Sequence, residues 1–103
     1  MKHLALRSFL KKFNTYSSKE QTAIAETVDQ IVKSFADHHV SHGLGIKKLY
    51  DKIYEARINL HLRIAFFIDK DTIKFFFIGN HDDIKRMLKT LSDRQLDSWS
   101  PTG

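Results

Sequence analysis

The chain predicts an α+β fold: two N-terminal helices packed on an antiparallel β-meander of three or four strands, with a short C-terminal helix. Three observations carry this. Apolar residues recur three and four apart up to residue 38, the period changes to two after residue 52, and short polar breaks separate the alternating runs. The 103 residues amount to one domain, here residues 1–91 followed by a flexible tail, 92–103. Composition is that of a globular protein, 42% hydrophobic and 28% charged with one Pro, so neither disorder nor low complexity is expected. The absence of cysteine excludes a disulfide scaffold, a thiol nucleophile and a thiolate zinc site, and fits a reducing, cytoplasmic setting. Apolar runs are too short to span a membrane.

Residues 3–7 alternate imperfectly and suit either a short leading strand or the opening of a helix. From Ser8, a residue of N-cap type, Phe9, Leu10 and Phe13 form an apolar stripe backed by Lys11 and Lys12, a short helix ending near Asn14 or Thr15. The basic, acid-free start MKHLALRSFLKKF has the loose look of an organellar presequence, but its apolar spacing has a better use as structure. The next helix, 18–38, is the clearest element. Ser17 with Glu20, or Ser18 with Gln21, makes a capping box, and Ile24, Val28, Ile31 and Phe35 follow at helical spacing.

His38, His39 and His42 close that helix, with Gly43 a plausible C-cap. Two histidines four apart beside Asp37 could share a metal, yet no further acid completes a zinc motif, and imidazoles at a helix C-terminus are favourable as dipole partners alone. No metal and no cofactor is expected. The Gly-Leu-Gly at 43–45 lacks the third glycine and preceding strand of a dinucleotide loop and reads as a turn.

Strand periodicity then governs 53–60, 62–69 and 72–78, with Asp69-Lys70-Asp71 as a polar break and Gly79-Asn80 turning the chain into a helix over 82–91, which carries Ile84, Met87, Leu88 and Leu91 on one stripe. One face of this meander would cover the two helices, leaving the face with Arg57 and Arg63 for a partner. The Phe75-Phe76-Phe77 run is core rather than a base-stacking platform, although one of its two faces must look outward. The tail contains Trp99 and the single Pro, and is expected to fray unless Trp99 docks.

Charge supplies the functional hint. The net +5 is uneven: residues 1–16 carry four bases and no acid, and 41–91 carry ten bases against six acids. Such a surface favours a polyanion or an acidic protein. P-loop, nucleophile-elbow and metal motifs are missing. What stands out is a basic constellation: Lys47, Lys48 and Lys52 before the first meander strand, Arg57 and Arg63 on the sheet, and His81, Lys85 and Arg86 after the last strand. RNA cleavage suits such a set, because the substrate brings its own 2′-hydroxyl nucleophile and no cofactor is required. Arginines stabilise the developing phosphorane charge, and a histidine moves a proton. The same arginines also suit surface pairs with Glu55 and Asp69, and His81 suits a helix start.

The phrases Tyr54-Glu55-Ala56-Arg57-Ile58, Leu62-Arg63-Ile64-Ala65-Phe66-Phe67 and Ile78-Gly79-Asn80-His81, in that order after two helices, resemble the RelE/ParE superfamily of type II toxins over most of residues 3–90. The resemblance implies a curved antiparallel sheet with a concave basic face. It implies one of two activities, ribosome-dependent mRNA cleavage as in RelE-like members or inhibition of DNA gyrase as in ParE-like members, with a degenerate antitoxin-binding member as a third case. It further implies a cognate antitoxin as partner, mRNA and the ribosome as targets, and a monomer when free. Residue by residue, it places the family's arginines on Arg57 and Arg63 and its histidine, present in some branches, on His81. Lys47, Lys48, Lys52, Lys85 and Arg86 of the basic constellation are the expected RNA-binding cations. Two family features have no counterpart: no tyrosine follows Tyr54, and Lys47 and Lys48 stand where an acid or arginine is usual.

Overall fold

The computed structural model describes residues 1–37 and 44–93. The elements run β1 (Lys2–Ala5), α1 (Arg7–Phe13), α2 (Ser18–Ala36), β2 (Lys47–Tyr50), β3 (Ile53–Arg57), β4 (Arg63–Asp69), β5 (Thr72–Gly79) and α3 (His81–Asp93). They build one five-stranded sheet of order β1-β5-β4-β3-β2. The meander β2 to β5 is antiparallel, and β1 adds to β5 in parallel, Lys2 opposite Thr72 through Ala5 opposite Phe75. The α+β architecture is the expected one, and residues 2–5 resolve the ambiguous start as a strand.

Several local expectations change. Ser8 does not cap α1: Leu6 holds the N-cap position without a side-chain bond, while the Ser8 hydroxyl donates to the carbonyl of Phe76 at 3.0 Å. Lys47 and Lys48 lie in an edge strand rather than a loop, paired with Glu55 and Tyr54. β3 stops at Arg57, short of residue 60, because Asn59 Oδ1 accepts the backbone N–H groups of His61 and Leu62 at 2.8 and 2.9 Å. That side chain replaces ladder bonds with a local turn. The α2 cap forms as expected, with Ser17 Oγ accepting from Glu20 N and the Glu20 carboxylate accepting from Ser17 N. The possible metal ligands His38, His39 and His42, the C-cap Gly43 and Trp99 lie outside the described residues.

Both faces of the sheet are covered, which corrects the expectation of one bare face. On one side α1 and α2 bury Phe9, Ile24 and Ile31 against Ala56, Ile64, Phe66, Phe75 and Ile78. Phe66 is the hub of this layer, its ring 5.7 Å from Tyr54 and Phe75 and 5.9 Å from Phe35. On the other side α3 sets Ile84, with Met87, Leu88 and Leu91, over Ile53, Ala65, Phe67 and Phe76. A bulge makes this second layer possible. Phe75 opposes Phe66 and Phe77 opposes Ala65, so Phe76 is the extra residue, and Phe76 and Phe77 both join the α3 side.

Candidate functional site

The part of the α3 side that α3 leaves uncovered lies at the C-terminal ends of β3 and β5. Arg57 is directly opposite Arg63, and Arg63 is directly opposite Gly79, so one row crosses three strands and meets α3 two residues later at His81. One step down the strands, Glu55 faces Ala65 on β4 and Lys47 on β2. Strand alternation puts Lys47, Glu55, Arg57 and Arg63 on one face.

Within this row Glu55 is the buried member, 4% exposed. Arg63 Nη1 donates to its Oε1 at 3.3 Å, which fixes the half-buried guanidinium and supplies the partner that a buried carboxylate requires. Arg57 is exposed, and its guanidinium lies against Gly45, 3.8 Å from where a Cβ would stand on a backbone of φ +54°. Asp69, the other anticipated partner, pairs instead with Lys74 at 3.4 Å.

His81 is the first residue of α3 and is exposed. Its position is set from both sides. Asn80 caps the helix reciprocally with Asp83, the Asp83 N–H donating to Asn80 Oδ1 at 2.8 Å and the Asn80 N–H to Asp83 Oδ2 at 3.0 Å. Gly79 lets that turn close on the strand, since a Cβ there would stand 2.7 Å from Asp83 Cβ and 3.0 Å from the Phe77 ring.

The other cations separate into different places. Arg86 is tied to Asp83 at 2.8 Å, and Lys85 is exposed on α3. Lys48 opposes Tyr54 and therefore shares the α2 side, away from the arginines. Lys52 sits in the β2–β3 turn, at the opposite end of β3 from Arg57. Lys47, Arg57 and Arg63 thus share one sheet face, with His81 two residues beyond Gly79 at the start of α3, while Lys48 lies on the other face and Lys52 at the far end of β3. Sequence reasoning took Glu55 only as a surface partner. The signal for its larger part was its place two residues before Arg57, which puts both on one strand face.

Among the described residues no group of three or more His, Asp or Glu side chains is arranged to hold a metal ion, and no helix is long and apolar enough to cross a membrane. Chemically, the face offers two guanidiniums and an ammonium suited to a phosphodiester, and the adjoining start of α3 carries an exposed imidazole, a group able to transfer a proton.

This fold, a mostly antiparallel sheet with two helices on one face, is similar to that of solved bacterial and archaeal toxins. The chain superposes on RelE from the Methanococcus jannaschii RelB-RelE antitoxin-toxin complex with TM-score 0.62 and 20% identity, covering 82% of this chain and 96% of that one. It superposes on the YoeB dimer from Staphylococcus aureus with TM-score 0.60 and 18% identity over 79% and 97%. The YoeB/ParE toxin from Agrobacterium tumefaciens gives TM-score 0.60 and 11% identity over 79% and 99%. No family model and no curated protein sequence matches the chain. The chain shares its fold with these RelE, YoeB and YoeB/ParE structures.

Proposed function

We propose that the protein is the toxin of a type II toxin-antitoxin system and that it cleaves mRNA on the ribosome. The observation that carries this reading is the row Arg57, Arg63 and Gly79 across three strands, with His81 two residues beyond it at the start of α3. In this reading the RNA supplies the 2′-hydroxyl, whose oxygen attacks the adjacent phosphorus while the bond to the 5′-oxygen breaks. Arg63, held by Glu55, and Arg57 take the charge that develops on the non-bridging oxygens. His81 delivers a proton to the departing 5′-oxygen. The products carry a 2′,3′-cyclic phosphate and a 5′-hydroxyl. Glu55 is engaged with Arg63, so the proton of the 2′-hydroxyl passes to water or to a group of the ribosome, and the free protein is a poor nuclease. An antitoxin covering the basic face would silence it. The RelB-RelE and YoeB-YefM complexes, toxins of this fold solved with their antitoxins, support that partner.

The test is to map mRNA 5′ ends in a purified translation reaction. New ends at ribosomal A-site codons are expected, falling about 10²–10³-fold with Arg63→Ala, as for other removals of a transition-state donor, and strongly with His81→Ala. Uncut mRNA together with blocked DNA supercoiling would transfer the protein to the gyrase-inhibiting class.

A further inference from the structure

A cleft of about 260 Å³ opens beside this site, between α1, the end of β5 and the first turn of α3, lined by Ser8, Lys12, Phe76, Phe77, Ile78 and Asp83. β1 stops pairing at Phe75, and the chain then turns into α1, so the cleft lies along the part of the β5 edge that β1 does not reach. The volume is below the range typical for drug-sized ligands and suits a single planar group.

We propose that this cleft is a nucleobase subsite of the same RNA site, an inference that rests on the nuclease reading. Three observations lead to it. Phe77 and Arg63 share one sheet face, since Phe77 opposes Ala65 and Arg63 opposes Gly79. The Phe77 ring closes on Gly79, the residue directly across from Arg63, so a phosphate on Arg63 places its nucleoside at the cleft mouth. Phe77 is the partly buried aromatic ring of the lining on the Arg63 face, a surface on which a base stacks irrespective of its identity, whereas the Ile78 side chain turns to the other face and belongs to the first core.

The polar lining then discriminates. Asp83 accepts from the Asn80 N–H and from Arg86, and a carboxylate with about four lone-pair sites keeps capacity for a further N–H. The Ser8 hydroxyl spends its proton on the Phe76 carbonyl and can otherwise only accept. Lys12, whose ammonium lies 5.9 Å from the Tyr16 ring centroid, is the donor on the α1 wall. Two acceptors and one cationic donor match the guanine edge best, which presents two N–H groups beside a carbonyl, whereas adenine and uracil each bring a single N–H-bearing position to that pair of acceptors.

The experiment is an NMR titration of the ¹⁵N-labelled full chain with inorganic phosphate and, separately, with 5′-GMP, UMP, AMP and CMP. Phosphate alone is expected to move resonances of Arg57, Arg63 and His81. GMP is expected also to move Ser8, Lys12, Phe77 and Ile78 and to bind more tightly than UMP, AMP or CMP. Phe77 also packs in the second core, so the variant used is Lys12→Ala at an exposed position. It should weaken GMP binding about tenfold, the loss of one charged hydrogen bond, and leave the phosphate response unchanged. If all four monophosphates move only what phosphate moves, the subsite is overturned, even where the mRNA is cut. If the cleft resonances respond while mRNA stays uncut, the subsite stands and the nuclease reading falls.

Discussion

Arg57 and Arg63 stand side by side on neighbouring strands, an arrangement of like charges that costs up to about 1 kcal/mol. The buried Glu55 offsets it from the diagonal position by holding Arg63. The two arginines and the histidine were legible in the sequence because alternation assigns the arginines to one face and helix spacing assigns His81 to a helix start. The buried part of Glu55 was not, since its burial comes from the neighbouring strands and no local pattern encodes it. Tyr16 makes a different point at this scale. Burial chiefly, then the carboxylates of Glu20 and Asp83, raises its phenol above the ordinary 10.0. The folded state therefore holds this proton more tightly than the unfolded state. The stability it contributes is complete below pH 10 and is lost as pH rises through the folded pKa. Urea unfolding at pH 9 and pH 11 should show a fall in stability that is smaller in Tyr16→Phe, and identical falls in both proteins would refute the assignment.

At the scale of elements, what was legible is what is periodic or capped. The Ser17 and Glu20 capping box and the stripe of α2 are spelled out in the chain, and both form. β2 was missed because Lys-Lys-Leu-Tyr has no alternation, and its pairing comes from β3 alone. The parallel β1 was ambiguous because four exposed residues carry no buried face to read. The Phe76 bulge was equally invisible, although it is what sets two consecutive phenylalanines on the α3 side. The junction of β5 and α3 is the element on which the site depends. Gly79→Ala puts a methyl 2.7 Å from Asp83 Cβ and must either separate α3 from the strand or break the Asn80–Asp83 cap, whose loss alone is worth about 1 kcal/mol. A drop in stability of about 1–3 kcal/mol by denaturant titration is expected, accompanied by loss of activity through displacement of His81. An unchanged midpoint and full activity would show that the close packing is immaterial.

For the whole molecule, one sheet carries two apolar layers, and the site occupies the margin of the second, beside the first turn of α3. The first layer is a scaffold: Phe66 is fully buried among aromatic rings, and Phe66→Ala should cost about 3–5 kcal/mol, read as a lowered urea midpoint. A cost under 1 kcal/mol would mean that the layer does not hold the fold. Coverage of both faces could not be read from the chain, because the stripe of α3 says that it is buried but not on which side. The central claim, that the cationic row and His81 cut RNA, is tested most directly by the chemistry of the ends on ribosome-bound mRNA. The account predicts a 2′,3′-cyclic phosphate upstream and a 5′-hydroxyl downstream, both absent with Arg63→Ala. A 5′-phosphate on the downstream fragment, or cleavage that persists in Arg63→Ala, would contradict it.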